Sequence, residues 1–168
     1  MNQRSRKEST GGERSGVKIS REFDFPRETV FDILTDSKKA VKVWGPEGAV
    51  KLVFELDRRP GGAITIHDRN SEGIIAKTSG TVMEIVVPER LVFRSVTTIG
   101  VATAPFEALQ TVVFEELSPK RTRVTVLVKV TAIGSFPGGV ESLEGGFQGG
   151  WGETFDMLQR ELRQTLGT

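Results

Sequence analysis

A chain of 168 residues with 23 basic and 22 acidic side chains is almost neutral, so nothing electrostatic points to nucleic acid or an anionic membrane. It has no cysteine and one histidine, which rules out disulfides and thiolate metal sites and leaves any metal to carboxylates; neither metal nor cofactor is expected. No apolar run approaches the roughly 18 residues needed to span a bilayer. The first residues also lack the apolar centre of a secretory signal. A cytoplasmic soluble protein is the expectation.

Residues 1–15 are polar and mildly basic, and bury too little to offset their ordering entropy, so they read as a solvated tail. Residues 16–168 read as one domain. Val17, Ile19 and Phe23 alternate with Lys18, Ser20 and Glu22, the period of a strand. Pro26 then starts a helix with Val30, Phe31, Ile33 and Leu34 on its buried face. Asp36 caps a second short helix running to Val43-Trp44, and Gly45-Pro46-Glu47-Gly48 is a turn cluster.

The next strand places Val50, Leu52, Phe54 and Leu56 on one face, opposite Lys51, Val53 and Glu55. After the Pro60-Gly61-Gly62 turn come strands from Ala63 to Asp68, Ile75 to Val87, Arg90 to Thr98, Phe106 to Leu117 and Arg121 to Thr131. Short connections make them an antiparallel meander. The Gly-rich stretch 132–146 reads as a loop able to move as a gate. Beyond it Phe147, Trp151, Phe155, Leu158, Leu162 and Leu166 recur at helical spacing, with Glu153, Asp156, Arg160 and Arg163 on the other side. This helix finds no helical partner upstream, so its stripe is expected on the concave face of the sheet.

That order, with FDFPRETVFDILTD (23–36), WGPEG (44–48), ELDRRPGG (55–62), GTVMEIVVPERLVF (80–93) and GGWGETFDMLQREL (149–162) at the joints, resembles the START-like superfamily. Within it, the chain resembles the branch related to the Hsp90 ATPase activator. The resemblance implies an α+β helix-grip fold: a seven-stranded antiparallel curved sheet wrapped around a long C-terminal helix, with two short helices after the first strand. Members implied by it include lipid and polyketide binders, cyclases and co-chaperone-like domains. Val43 and Arg58 depart from the branch's pattern, which has an aromatic and an apolar residue there.

A helix gripped by a curved sheet leaves room for a cavity. Trp151, Phe155 and Leu158 are its candidate lining on the helix, with ordinary core as the alternative. Inward parity adds Phe54, Leu56, Phe93, Ser95 and Thr97, then Gln110 and Val112; Trp44 is a candidate lid. Hydroxyls and an amide on an apolar wall suit an amphipathic ligand. Arg21 reads as a structural ion pair, and His67 shares the solvent-facing parity of Ala63 and Thr65. Glu115 and Glu116, adjacent on a strand, point to opposite faces and cannot act as an acid–base pair. The Gly145–Gly152 run lacks the spacing of a phosphate loop.

The leading expectation is non-catalytic binding of an apolar or amphipathic small molecule. A chaperone-interaction module is the alternative, followed by a cyclase- or hydrolase-type enzyme using Gln110, Ser95 or Arg21. A homodimer is left open.

Overall fold

The computed structural model describes residues 16–101, 104–134 and 136–166, so the tail expected at 1–15 lies outside the described residues. Seven antiparallel strands form one sheet in the order β1-β7-β6-β5-β4-β3-β2. They are β1 (Val17–Phe23), β2 (Val50–Leu56), β3 (Ala63–Arg69), β4 (Ile75–Val86), β5 (Arg90–Ile99), β6 (Phe106–Ser118) and β7 (Arg121–Ile133). Helices α1 (Arg27–Thr35) and α2 (Ser37–Ala40) follow β1, and α3 (Gly139–Leu166) closes the chain. This is the helix-grip arrangement, and no helix among the described residues is long and apolar enough to cross a membrane.

The strands form where alternation gives each one apolar face. Along β6, Phe106, Ala108, Gln110, Val112 and Phe114 are buried, and along β7 Thr122, Val124, Val126 and Val128 are buried beside them. Because β6 pairs antiparallel with β7 over most of both strands, those two rows form one continuous apolar wall. The lower part of α3 seals it. Phe155, Leu158 and Leu162 are fully buried, and the Phe155 ring meets Phe23 edge-on at 5.8 Å. Arg21 bonds Asp156 at 2.5 Å and lies over the Phe155 ring, so it serves as a structural ion pair.

Three local expectations are corrected. Pro26 is the N-cap of α1, its carbonyl accepting from the Thr29 and Val30 amides, rather than a residue of the first turn. Helix α2 ends at Ala40, three residues short of Val43; Asp36 does cap it, accepting from the Lys38 and Lys39 amides. Most consequential is β2. A bulge between Lys51 and Val53 interrupts the alternation, leaving Val50 and Leu52 51% and 43% exposed and turning Lys51 inward. An extra residue in one strand shifts every side chain before it to the opposite face.

Helix α3 begins at Gly139, so most of the segment read as a gate is helical. The first half of α3 contains Gly145, Gly146, Gly149, Gly150 and Gly152, each of which lowers helix propensity by about 1 kcal/mol relative to alanine. Burial of Leu143 and Trp151 overrides that preference.

Gly80 shows where the sheet needs a missing side chain. A Cβ there would stand 1.9 Å from the Arg94 carbonyl oxygen on β5, a backbone atom that cannot step aside. Gly80→Ala is therefore expected to destabilise the fold by about 1–3 kcal/mol or more. A urea midpoint unchanged from the parent would show that β4 and β5 do not approach so closely.

Candidate functional site

The axis of α3 runs close to β1, β7 and α1, while β3, β4 and β5 stand farther from its backbone. Under the glycine-rich half this separation leaves a cavity of about 290 Å³. Its sheet wall consists of Ile66 and Asp68 on β3, Ala76 and Thr78 on β4, Phe93, Thr97 and Ile99 on β5, and Phe106 and Gln110 on β6. Its helix wall is Ser142, Leu143, Gly146, Phe147, Gly150, Trp151 and Thr154. Trp44, Gly45 and Pro46 close one side and Phe136 another. Gly146 and Gly150 enlarge the space directly, since a Cβ built at either would meet nothing within 4 Å.

Aromatic rings set the shape. Trp44 and Trp151 lie 5.1 Å apart between centroids, and Trp44 also meets Phe93 at 5.8 Å and Phe54 at 5.7 Å. Trp44 is no free lid. Its indole Nε1 donates to the Leu34 carbonyl at 2.7 Å, and its loop is tied to α3, where Thr154 Oγ1 accepts from the Gly45 amide and Glu153 from the Glu47 amide. Gly45 holds φ +97°, in the left-handed region glycine favours, and a side chain there would run into the Lys51 ammonium.

The polar groups of the wall are arranged in a chain. Trp151 Nε1 donates to Gln110 Oε1 at 2.8 Å, and Gln110 Nε2 donates to Ser95 Oγ at 3.3 Å. Since indole N–H only donates, it fixes which way the amide points. The Thr97 and Thr78 hydroxyls bond each other at 2.9 Å. Replacing Gln110 by leucine would leave the buried indole N–H without its acceptor and the Ser95 hydroxyl with only the long bond it donates to the Ala108 carbonyl. A loss of about 1–3 kcal/mol is expected, readable as a lowered thermal midpoint; an unaltered midpoint would mean that the chain of bonds contributes nothing.

The inward turn of Lys51 creates an ion pair at the cavity edge. Lys51 Nζ donates to the Trp44 carbonyl at 2.5 Å and to Asp68 Oδ2 at 3.3 Å, with side chains only 10% and 11% exposed. Burial pulls the Lys51 ammonium below its ordinary value, and the neighbouring Asp68 charge partly opposes that.

Of the residues expected at a cavity, Trp44, Phe93, Thr97, Gln110 and Trp151 border this space. Ser95 stands behind the wall, bonded to Gln110. Phe54 is half-buried against Trp44. Leu56, Val112, Phe155 and Leu158 are packed in the core away from the cavity, because the helix and sheet close together over its C-terminal half. His67 lies on the opposite face of β3 from Ile66 and Asp68 and does not border the space. Glu115 pairs with Arg123 and Glu116 with Arg27, so the two carboxylates are engaged separately.

A larger cleft of about 710 Å³ lies among α1, the Val87-Pro88 turn and the end of α3. Its charged residues neutralise one another: Asp32 pairs with both Lys39 and Arg58. Volume alone would favour this cleft, but it lacks the aromatic enclosure that removes a ligand from water.

A family model described as Activator of Hsp90 ATPase homolog 1-like protein matches residues 24–163. The chain belongs to this family. Solved structures agree on the fold of this Hsp90-activator-homologue member. An AHSA1 protein from Silicibacter pomeroyi superposes with a TM-score of 0.71 at 22% identity, over 88% of this chain and 97% of its own. A Chromobacterium violaceum protein gives 0.70 at 22% identity over 87% and 95%, and a Rhodobacter sphaeroides protein 0.74 at 16% over 92% and 97%. At such identities the likeness shows the fold alone. No curated protein matches the sequence.

Several wall residues of this family member escaped sequence reasoning. Leu143 and Ser142 fall in the glycine-rich stretch read as a loop, and Lys51, which stands behind the wall rather than in it, was hidden by the bulge. Asp68 was within reach, since it shares the parity of Ile64 and Ile66.

Proposed function

We propose that the protein binds an apolar or amphipathic small molecule, without transforming it, in the cavity between the sheet and the first half of α3. The observation that carries this reading is the aromatic enclosure of Trp44, Phe93, Phe106 and Trp151 around a space that glycines keep open. Shape and hydrophobicity supply affinity there, and a few fixed polar groups supply orientation. Gln110 and Ser95, which a catalytic reading would use, are bonded to each other, an arrangement suited to holding a ligand rather than attacking one.

The chain's two tryptophans both border the cavity, so their fluorescence reports its occupancy. Native mass spectrometry of protein incubated with a cell extract is expected to show an added apolar mass. Its displacement should alter the tryptophan emission. Bare protein in every extract, with unchanged emission, would remove the reading. The family's description supports a second one, docking to a chaperone. Saturating protein should then stimulate an Hsp90 ATPase; an unchanged rate would dispose of that alternative and leave ligand binding untouched.

A further inference from the structure

We infer that the cavity selects an uncharged hydrophobic molecule bearing a hydroxyl, with Asp68 accepting the hydroxyl hydrogen while its ion pair with Lys51 turns away charged headgroups. The inference rests on the ligand-binding reading above and adds the chemical class to it.

Asp68 stands in the cavity wall with Lys51 behind it, since Lys51 does not border the space. Only Oδ2 of the carboxylate is engaged, by the Lys51 ammonium; Oδ1 takes no hydrogen bond from any described residue. An accessible carboxylate oxygen with no protein partner at an apolar cavity is suited to a donor from a bound molecule. The pair as a whole is neutral. A ligand ammonium would be drawn to Asp68 but would leave two cations beside one carboxylate, and a ligand carboxylate would meet Asp68 itself, while the lysine donates to Asp68 and to the Trp44 carbonyl. Either charged head gives up its own hydration and leaves the pair with an unbalanced charge, so both lose to a neutral donor. Thr78 and Thr97, next in the wall and bonded to each other, add dipoles but no charge.

Four small molecules sharing one ring test this by tryptophan emission: cyclohexane, 2-cyclohexylethanol, 2-cyclohexylethylamine and cyclohexylacetate. The alcohol is expected to bind about tenfold or more tighter than the amine or the acid. In Lys51→Met the lone carboxylate should accept an ammonium in place of the lysine, so the preference moves to the amine. In the double variant Lys51→Met with Asp68→Leu, an apolar replacement of the pair that does not leave either charge alone, the advantage of the alcohol over cyclohexane should disappear. If Lys51→Met does not fold, the double variant and the parent still decide the matter. Cyclohexane binding with no preference for the alcohol, or with the acid preferred, overturns the inference and leaves the ligand-binding reading intact. No response to any of the four, cyclohexane included, overturns both.

Discussion

Replacing Phe155 by alanine is expected to cost about 3–5 kcal/mol of folding stability. Its side chain is fully buried where β1 and β7 meet α3, with the rings of Phe23 and Trp151 both 5.8 Å away and the Arg21 guanidinium 5.5 Å from its centroid. Truncation removes the transfer free energy of the ring and leaves a void that three rigid neighbours are poorly placed to fill. Domains of this size are stable by about 5–15 kcal/mol, so the loss is a large fraction of the whole. Chemical denaturation gives the measurement. Phe155→Leu should recover most of it, since more of the volume survives. A loss under about 1 kcal/mol for the alanine variant would mean that α3 is not clamped at this point.

The second large effect is on binding. Gly150→Phe is expected to weaken any cavity ligand by about a hundredfold or more, close to 2.7 kcal/mol. Gly150 borders the cavity, and its Cβ position is open for at least 4 Å, so a phenyl ring can enter the space a ligand would take. Stability should hold or rise slightly, because phenylalanine is a better helix former than glycine. This split separates occupancy of the cavity from damage to the fold. Gly149→Phe is the control: that position is exposed, does not border the cavity and also has room for a Cβ, so binding should be unaffected. Equal affinities for Gly150→Phe and the parent would place the ligand somewhere else.

The comparison of these two positions shows how the helix divides its work. Below Trp151, Phe155, Leu158 and Leu162 fill the angle between helix and sheet and anchor it. Above it, glycines keep the helix thin where the strands diverge from it, and the difference becomes empty volume. A sheet that twists and curls cannot stay equidistant from a straight rod, so one end of the pair closes while the other gapes. Sequence spacing placed Trp151, Phe155 and Leu158 together on one stripe, which is correct, but it carries no information about how far that stripe stands from the opposite wall.

Much of the architecture was legible in the residues themselves. The alternation of Val124, Val126 and Val128, the Asp36 cap and the long amphipathic stripe are local patterns, and local patterns depend on backbone periods that tertiary structure seldom alters. The start of α3 was not legible, because five glycines argue against a helix that only the burial of Leu143 and Trp151 can hold. Nor was the fate of Lys51, since one bulged residue reverses the parity of everything before it and leaves no mark in composition.

By itself, then, the order of apolar and polar residues determined a curved antiparallel sheet closed by a C-terminal helix, because burial of each apolar face admits few other partners. Only the tertiary structure decided where that closure is incomplete, which of the stripe's side chains border the gap, and that a buried Lys51–Asp68 pair stands at its edge. Those outcomes depend on distances between segments remote in sequence, and periodicity records the direction of a side chain but not the separation of the surfaces it joins.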